Sequence, residues 1–194
     1  MNRLVLFKKK TQLIKAAADS ENSGLCKHKT GNLSIINREE GYIVITPSGL
    51  SKSKLIPEDL IVTDLDGKIL ENIKNNKPSI ELPMHLACYS KRQDIESIVH
   101  THSTYATAFS VRAMEIPPVA TEAVFYGSKT VVIPYGKPGT KELANTVKKY
   151  MADSDALLLE KHGVIALGKE VEETLLKAKY IEEVAKVASI ARLL

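Results

Sequence analysis

The chain has 194 residues, enough for one globular domain with a sizeable core or at most two small ones. Hydrophobic residues make up 44% and charged residues 26%, and no apolar run reaches the roughly 20 residues that span a bilayer. The formal charge of +4 is scattered, aromatics are only 5% and Trp is absent; this argues against nucleic-acid binding and suits small anionic ligands.

At the N-terminus, MNRLVLFKKKTQLIKAAADS gathers Lys8, Lys9 and Lys10 after a short apolar stretch. A secretory signal has the opposite order, so a cytoplasmic protein is expected. Residues 9–19 carry a helical pattern with Leu13, Ile14, Ala17 and Ala18 on one side. Cys26 and Cys88 lie far apart without a CxxC, which suggests neither a disulfide framework nor a zinc knuckle. GNLSII and GYIVITPSG read as strands, and LIVTDLDGKIL as two strands around the Asp66-Gly67 turn. SIELPMHLACYSKR reads as a helix with Ser79 as N-cap and Met84, Leu86, Ala87 and Tyr89 among its buried positions. SIVHTHS reads as a strand, TYATAFSVRA as a helix and KTVVIPYG as a strand. GTKELANTVKKYMAD starts a helix at Thr140. ALLLEKHGVIALG reads as paired strands turning near His162-Gly163, and an amphipathic helix closes the chain. Helices and short strands mix without strict βαβ alternation, which favours an α/β sandwich around a largely antiparallel sheet. No Walker A motif or GxGxxG is present, so nucleotide binding is disfavoured.

The chemistry concentrates in few residues. A strand repeats every two positions, so His100 and His102 share a face and could converge on a metal. Among the five histidines, His162 is the best third ligand, because Gly163 lets the chain turn beside it. Three neutral imidazoles with one open position describe a catalytic zinc site better than a structural one. The HxH pattern alone is short, and by itself it favours two exposed strand histidines and an unrelated turn histidine. Glu81 falls at a helix start, where a carboxylate is favoured electrostatically; it gains a chemical role only if that start faces the histidines. TGNLS (30–34) and TPSG (46–49) resemble loops that offer backbone N–H groups to phosphate, although each alone reads as an ordinary turn. His28 and His85 read as structural, and Lys161 as a surface charge or a phosphate aid.

Taken in order, TGNLS, ITPSG, DLDGK, KPSIELPMHLACY, IVHTHSTYATAFS, IPYGKPGTKEL and LLLEKHGVIALG resemble the class II aldolase/adducin family, from about residue 20 onward. The resemblance implies one class II aldolase-like domain over 1–194. Its fold would be an α/β three-layer sandwich, a central, mainly antiparallel sheet with helices on both faces. It implies a metal-dependent aldolase, a carbon-carbon lyase, that cleaves a ketose 1-phosphate such as L-fuculose 1-phosphate to dihydroxyacetone phosphate and an aldehyde through an enediolate. It makes His100, His102 and His162 ligands of one Zn2+ per subunit, with Co2+ or Mn2+ as alternatives. Glu81 becomes the catalytic acid/base and a further ligand. Gly31, Asn32, Ser48, Gly49 and Ser79 become the phosphate loops. The implied partners are a small sugar phosphate and copies of the chain in a homotetramer with interfacial active sites, with no nucleic acid and no membrane.

The chain departs from that pattern in three places. Ile80 stands where a second phosphate-binding serine is expected. Thr121 or Glu122 stands near a catalytic tyrosine's place, with Tyr126 further on. The family's C-terminal tail, with its second tyrosine, has no counterpart before Leu194. Related activities remain open. Ribulose-5-phosphate 4-epimerases share the histidines but normally carry Asp at the place of Glu81. Methylthioribulose-1-phosphate dehydratases keep a Glu there. A non-catalytic adducin-like domain would have lost the metal histidines.

Overall fold

The computed structural model describes residues 1–123, 130–152 and 154–194. Eight strands form one sheet: β1 (Asn32–Asn37), β2 (Tyr42–Ile45), β3 (Ile61–Asp64), β4 (Ile69–Glu71), β5 (Ser97–Thr101), β6 (Val131–Ile133), β7 (Ala156–Leu159) and β8 (Gly163–Gly168). Their spatial order is β4-β3-β2-β1-β5-β8-β7-β6. Every neighbouring pair is antiparallel except β6 with β7. That parallel pair needs a crossover, and α4 (Lys141–Tyr150) lies between the two strands in sequence.

Period-two alternation builds the three layers. Leu33, Ile35, Val44, Val99 and Ala166 face α1 (Arg3–Asn22) and α5 (Val171–Ala191). Val164 and Leu158 pack under α5 and α3 (Thr104–Val111). On the other face, Ile36, Ile43, Ile45, Ile98, Ile165 and Leu157 meet α2 (Leu82–Lys91) and α4. The expected sandwich with helices on both faces is therefore the observed fold.

Several boundaries differ from expectation, for local reasons. α1 is longer than 9–19 because Asn2 caps it, its side-chain oxygen accepting from the N–H groups of Leu4 and Val5. Exposed Leu4 and Phe7 obscure its amphipathic pattern. α2 has Glu81, not Ser79, at its N-cap position. Pro83 has no N–H to give the Ser79 carbonyl, so the first full-turn bond runs from His85 N to Glu81 O at 3.2 Å. Leu82, Met84, His85, Cys88 and Tyr89 are the buried positions of α2, whereas Leu86 and Ala87 are half-buried. Thr140 caps α4 as expected, accepting from Leu143 N. Both cysteines are buried and free. No helix among the described residues is long and apolar enough to cross a membrane.

Candidate metal centre

The site lies where β1, β5 and the β7–β8 turn meet the start of α2. His100 pairs with Asn32 across the β1–β5 ladder and projects toward α2, like Ile98 on its own strand. β5 ends at Thr101, so His102 stands just beyond the strand rather than on it. It still converges: the Nε2 atoms of His100 and His102 are 3.0 Å apart. His162 comes from the tight β7–β8 turn, in which Lys161 has φ 56° and His162 N bonds to Leu159 O. The three imidazole centroids stand 4.8 Å from one another in every pair.

Gly163 makes this convergence sterically feasible. A Cβ there would lie 2.2 Å from the carbonyl oxygen of Thr101 and 3.3 Å from the His102 ring. Gly31 acts similarly on the other flank, with φ +68° and no room for a side chain between Cys26 Sγ and the His100 carbonyl.

Glu81 completes the cluster, with Oε2 2.8 Å from His100 Nε2 and Oε1 3.6 Å from His162 Nε2. Ligand atoms of Glu81, His100, His102 and His162 all lie within 4.8 Å of one another. Burial, reinforced by the neighbouring imidazoles, lowers His102 to about 3; burial and His100 lower His162 to about 4. Both are therefore neutral near pH 7, with lone pairs available. Burial alone would raise Glu81, but the charge and hydrogen bond of His100 outweigh it and hold the carboxyl well below the usual range.

The donor chemistry fits a metal ion. His100 Nδ1 lies 2.8 Å from the Val164 carbonyl, an acceptor, so this nitrogen carries a proton. In the neutral ring Nε2 is then bare, yet it faces a carboxylate oxygen and a second imidazole nitrogen at hydrogen-bonding distance. A proton on His100 or a metal ion satisfies these contacts, and three imidazoles with one carboxylate are a donor set that suits a metal ion. Glu81 Oε1 is buried without a hydrogen-bond partner, as such a site leaves it. Glu81, His100, His102 and His162 form a candidate metal site.

A cleft opens beside these groups, lined by Gly31, Asn32, Ser48, Gly49, Ser79 and Glu81 together with His102 and His162. All five loop residues singled out in the sequence thus border one space. Ser79 Oγ accepts from Glu81 N at 3.2 Å, which leaves its hydroxyl hydrogen free to donate into the cleft. The sequence reading overlooked Lys29, which lies only three residues before Asn32 and also lines the cleft. Ile80 lines the cleft as well, 62% exposed. Lys161 is absent from the lining and pairs with Glu160 on the surface at 3.1 Å. Thr121 and Glu122 are exposed, and Tyr126 lies outside the described residues.

A mainly antiparallel α/β sandwich thus carries a three-histidine, one-glutamate cluster that could hold a metal ion at one end of its sheet. Residues 11–189 match the model of the Class II Aldolase and Adducin N-terminal domain, and the chain belongs to this family as a metal-dependent aldolase. It is 39% identical over 184 residues to a 5-deoxy-D-ribulose 1-phosphate aldolase from Bacillus thuringiensis serovar kurstaki, an alignment covering 95% of this chain and 85% of that one. A solved L-fuculose 1-phosphate aldolase superposes with a TM-score of 0.89 at 33% identity, covering 95% of this chain and 86% of that chain. An L-ribulose-5-phosphate 4-epimerase from Salmonella paratyphi C is 34% identical over 198 aligned positions, covering 95% and 86% of the two chains.

Proposed function

We propose that this chain, folded as one domain over 1–194, cleaves a ketose 1-phosphate reversibly to dihydroxyacetone phosphate and an aldehyde. The observation that carries this reading is a buried carboxylate placed both at the candidate metal cluster and on the wall of a cleft rimmed by polar loops. Gly31, Asn32, Ser48, Gly49 and Ser79 would receive the phosphate, with Lys29 lining the same cleft. His100, His102 and His162, with Glu81, would hold a divalent ion; three imidazoles favour Zn2+ over Co2+ or Mn2+. When bound, that ion supplies Lewis-acid stabilisation to negative charge on the substrate oxygens. Cleavage of the C3–C4 bond leaves the electron pair on C3, and the C4 hydroxyl proton passes to the ionised Glu81 carboxylate as the aldehyde forms. Glu81 delivers a proton to C3 through a carboxylate oxygen, and in synthesis takes it back. We further propose a cytoplasmic homotetramer, in keeping with the family resemblance of the sequence.

The test is release of dihydroxyacetone phosphate from a panel of ketose 1-phosphates, including L-fuculose and 5-deoxy-D-ribulose 1-phosphates, with and without a chelator. Chelator-sensitive release supports the reading and ranks the aldehydes. Similarity to the 4-epimerase supports a second reading, in which the same cleft handles pentulose 5-phosphates. Interconversion of such substrates, with no release by protein holding stoichiometric metal, would establish that alternative.

A further inference from the structure

A buried chain of side-chain hydrogen bonds runs from the core of α2 to Glu81. Tyr89 Oη lies 2.8 Å from Ser34 Oγ, and Ser34 Oγ lies 2.6 Å from His85 Nδ1. His85 Nε2 is 2.6 Å from Asn32 Oδ1, and Asn32 Nδ2 donates to Glu81 Oε2 at 3.3 Å. The geometry has a simple origin. Glu81, His85 and Tyr89 recur every four residues on one helix face, while Asn32 and Ser34 share one strand face.

The direction of every bond is fixed by its end. A carboxylate only accepts, so the Asn32 atom facing Glu81 must be its NH2 group. Asn32 Oδ1 then faces His85, which must donate from Nε2. Nδ1 lies 2.6 Å from Ser34 Oγ, and in the neutral ring protonated at Nε2 it accepts from the Ser34 hydroxyl. Ser34 has spent its one hydrogen, so Tyr89 donates to Ser34. Neither the Asn32 amide nor the His85 Nε2 donor can be reversed without setting two acceptors against each other, and all five side chains are buried.

We propose that His85 is a positioning residue: its Nε2–H locks the Asn32 amide in the one orientation that donates to Glu81, and so sets the placement of the proton-transferring carboxylate. The inference rests on the reading of Glu81 as the acid/base. It gives Asn32 a second duty beside lining the cleft, and it makes Ser34 and Tyr89 keepers of the His85 tautomer.

Two variants test it. A glutamine amide reaches about as far as Nε2, whereas an asparagine amide reaches only about as far as Nδ1. His85→Gln therefore keeps a donor to Asn32, and His85→Asn loses it. The primary readout is exchange of the proton on the hydroxyl-bearing carbon of dihydroxyacetone phosphate in D2O, at matched metal content and thermal midpoint. His85→Asn should exchange roughly 10-fold more slowly or worse, while His85→Gln stays within about threefold of the unaltered protein. The second readout needs no activity. The 15N spectrum of His85 should show the Nε2–H neutral tautomer, unchanged between pH 5 and 9. An Nδ1–H tautomer, or equal exchange in both variants, overturns the proposal. Absence of exchange in the metal-loaded unaltered protein would instead remove Glu81 from its role, and the tautomer would then decide the orientation of Asn32 by itself.

Discussion

Glu81 meets two demands within one carboxylate. Oε2 is held by His100 and Asn32, whereas Oε1 is buried without a hydrogen bond, 3.6 Å from His162 Nε2. A carboxylate so divided can stay anchored by one oxygen while the other exchanges a proton with substrate. Glu81→Gln should therefore retain stoichiometric metal on the three histidines while proton exchange into dihydroxyacetone phosphate falls about 100-fold or more. Metal analysis and NMR exchange rates measure the two effects separately, and unchanged exchange would refute the assignment. His102→Ala should show the opposite order of loss, with metal occupancy failing first.

At the level of elements, the site depends on how closely β5 and β8 approach beside the histidines. Gly163→Ala sets a methyl group against the Thr101 carbonyl, and the strands must part. A cost of about 1–3 kcal/mol in stability is expected, together with weaker metal retention, from urea unfolding and metal titration. Much of this layer was legible in the sequence. The strands in GNLSII and GYIVITPSG, the Asp66-Gly67 turn and the Thr140 cap all read correctly, because each depends on neighbouring residues alone. The HxH pair and the glycine after His162 pointed to the three histidines for the same reason. Glu81 at the N-cap was missed, because the missing N–H of Pro83 acts a turn away. His85 was read as a bland core histidine. Its Glu81-x3-His85-x3-Tyr89 spacing was visible, but its meaning required Asn32 and Ser34 opposite, and that pairing is tertiary. The strand order also lay beyond local pattern.

Over the whole molecule, Glu21 at the end of α1 ties that helix to the segment following the cleft loop. Its Oε2 accepts from Ser51 Oγ at 2.7 Å and from Ser53 N at 2.6 Å. Hydrogen bonds from Ser53 and Ser51 lower Glu21 from 4.5 to about 2. The ionised carboxylate thus favours the folded state. This contribution is complete above about pH 4.5 and vanishes as pH falls through about 2. Glu21→Gln should flatten the acid limb of the stability curve in that window, measured by urea unfolding at pH 3 and pH 6. An unaltered limb would show that the tie carries no stability.

The central position of β5 has a consequence for how the protein comes into being. β1 to β4 can zip together from neighbouring segments, and so can β7 with β8, but β5 must join partners distant in sequence on both edges. Such closures follow the local ones, because chain entropy must be lost before they are rewarded. Asn32 belongs to the first half, His162 to the second, and His100 to the strand between them. A nascent or partly folded chain therefore has no centre at all, so reactivity appears only with the finished sheet and half-made molecules stay chemically silent.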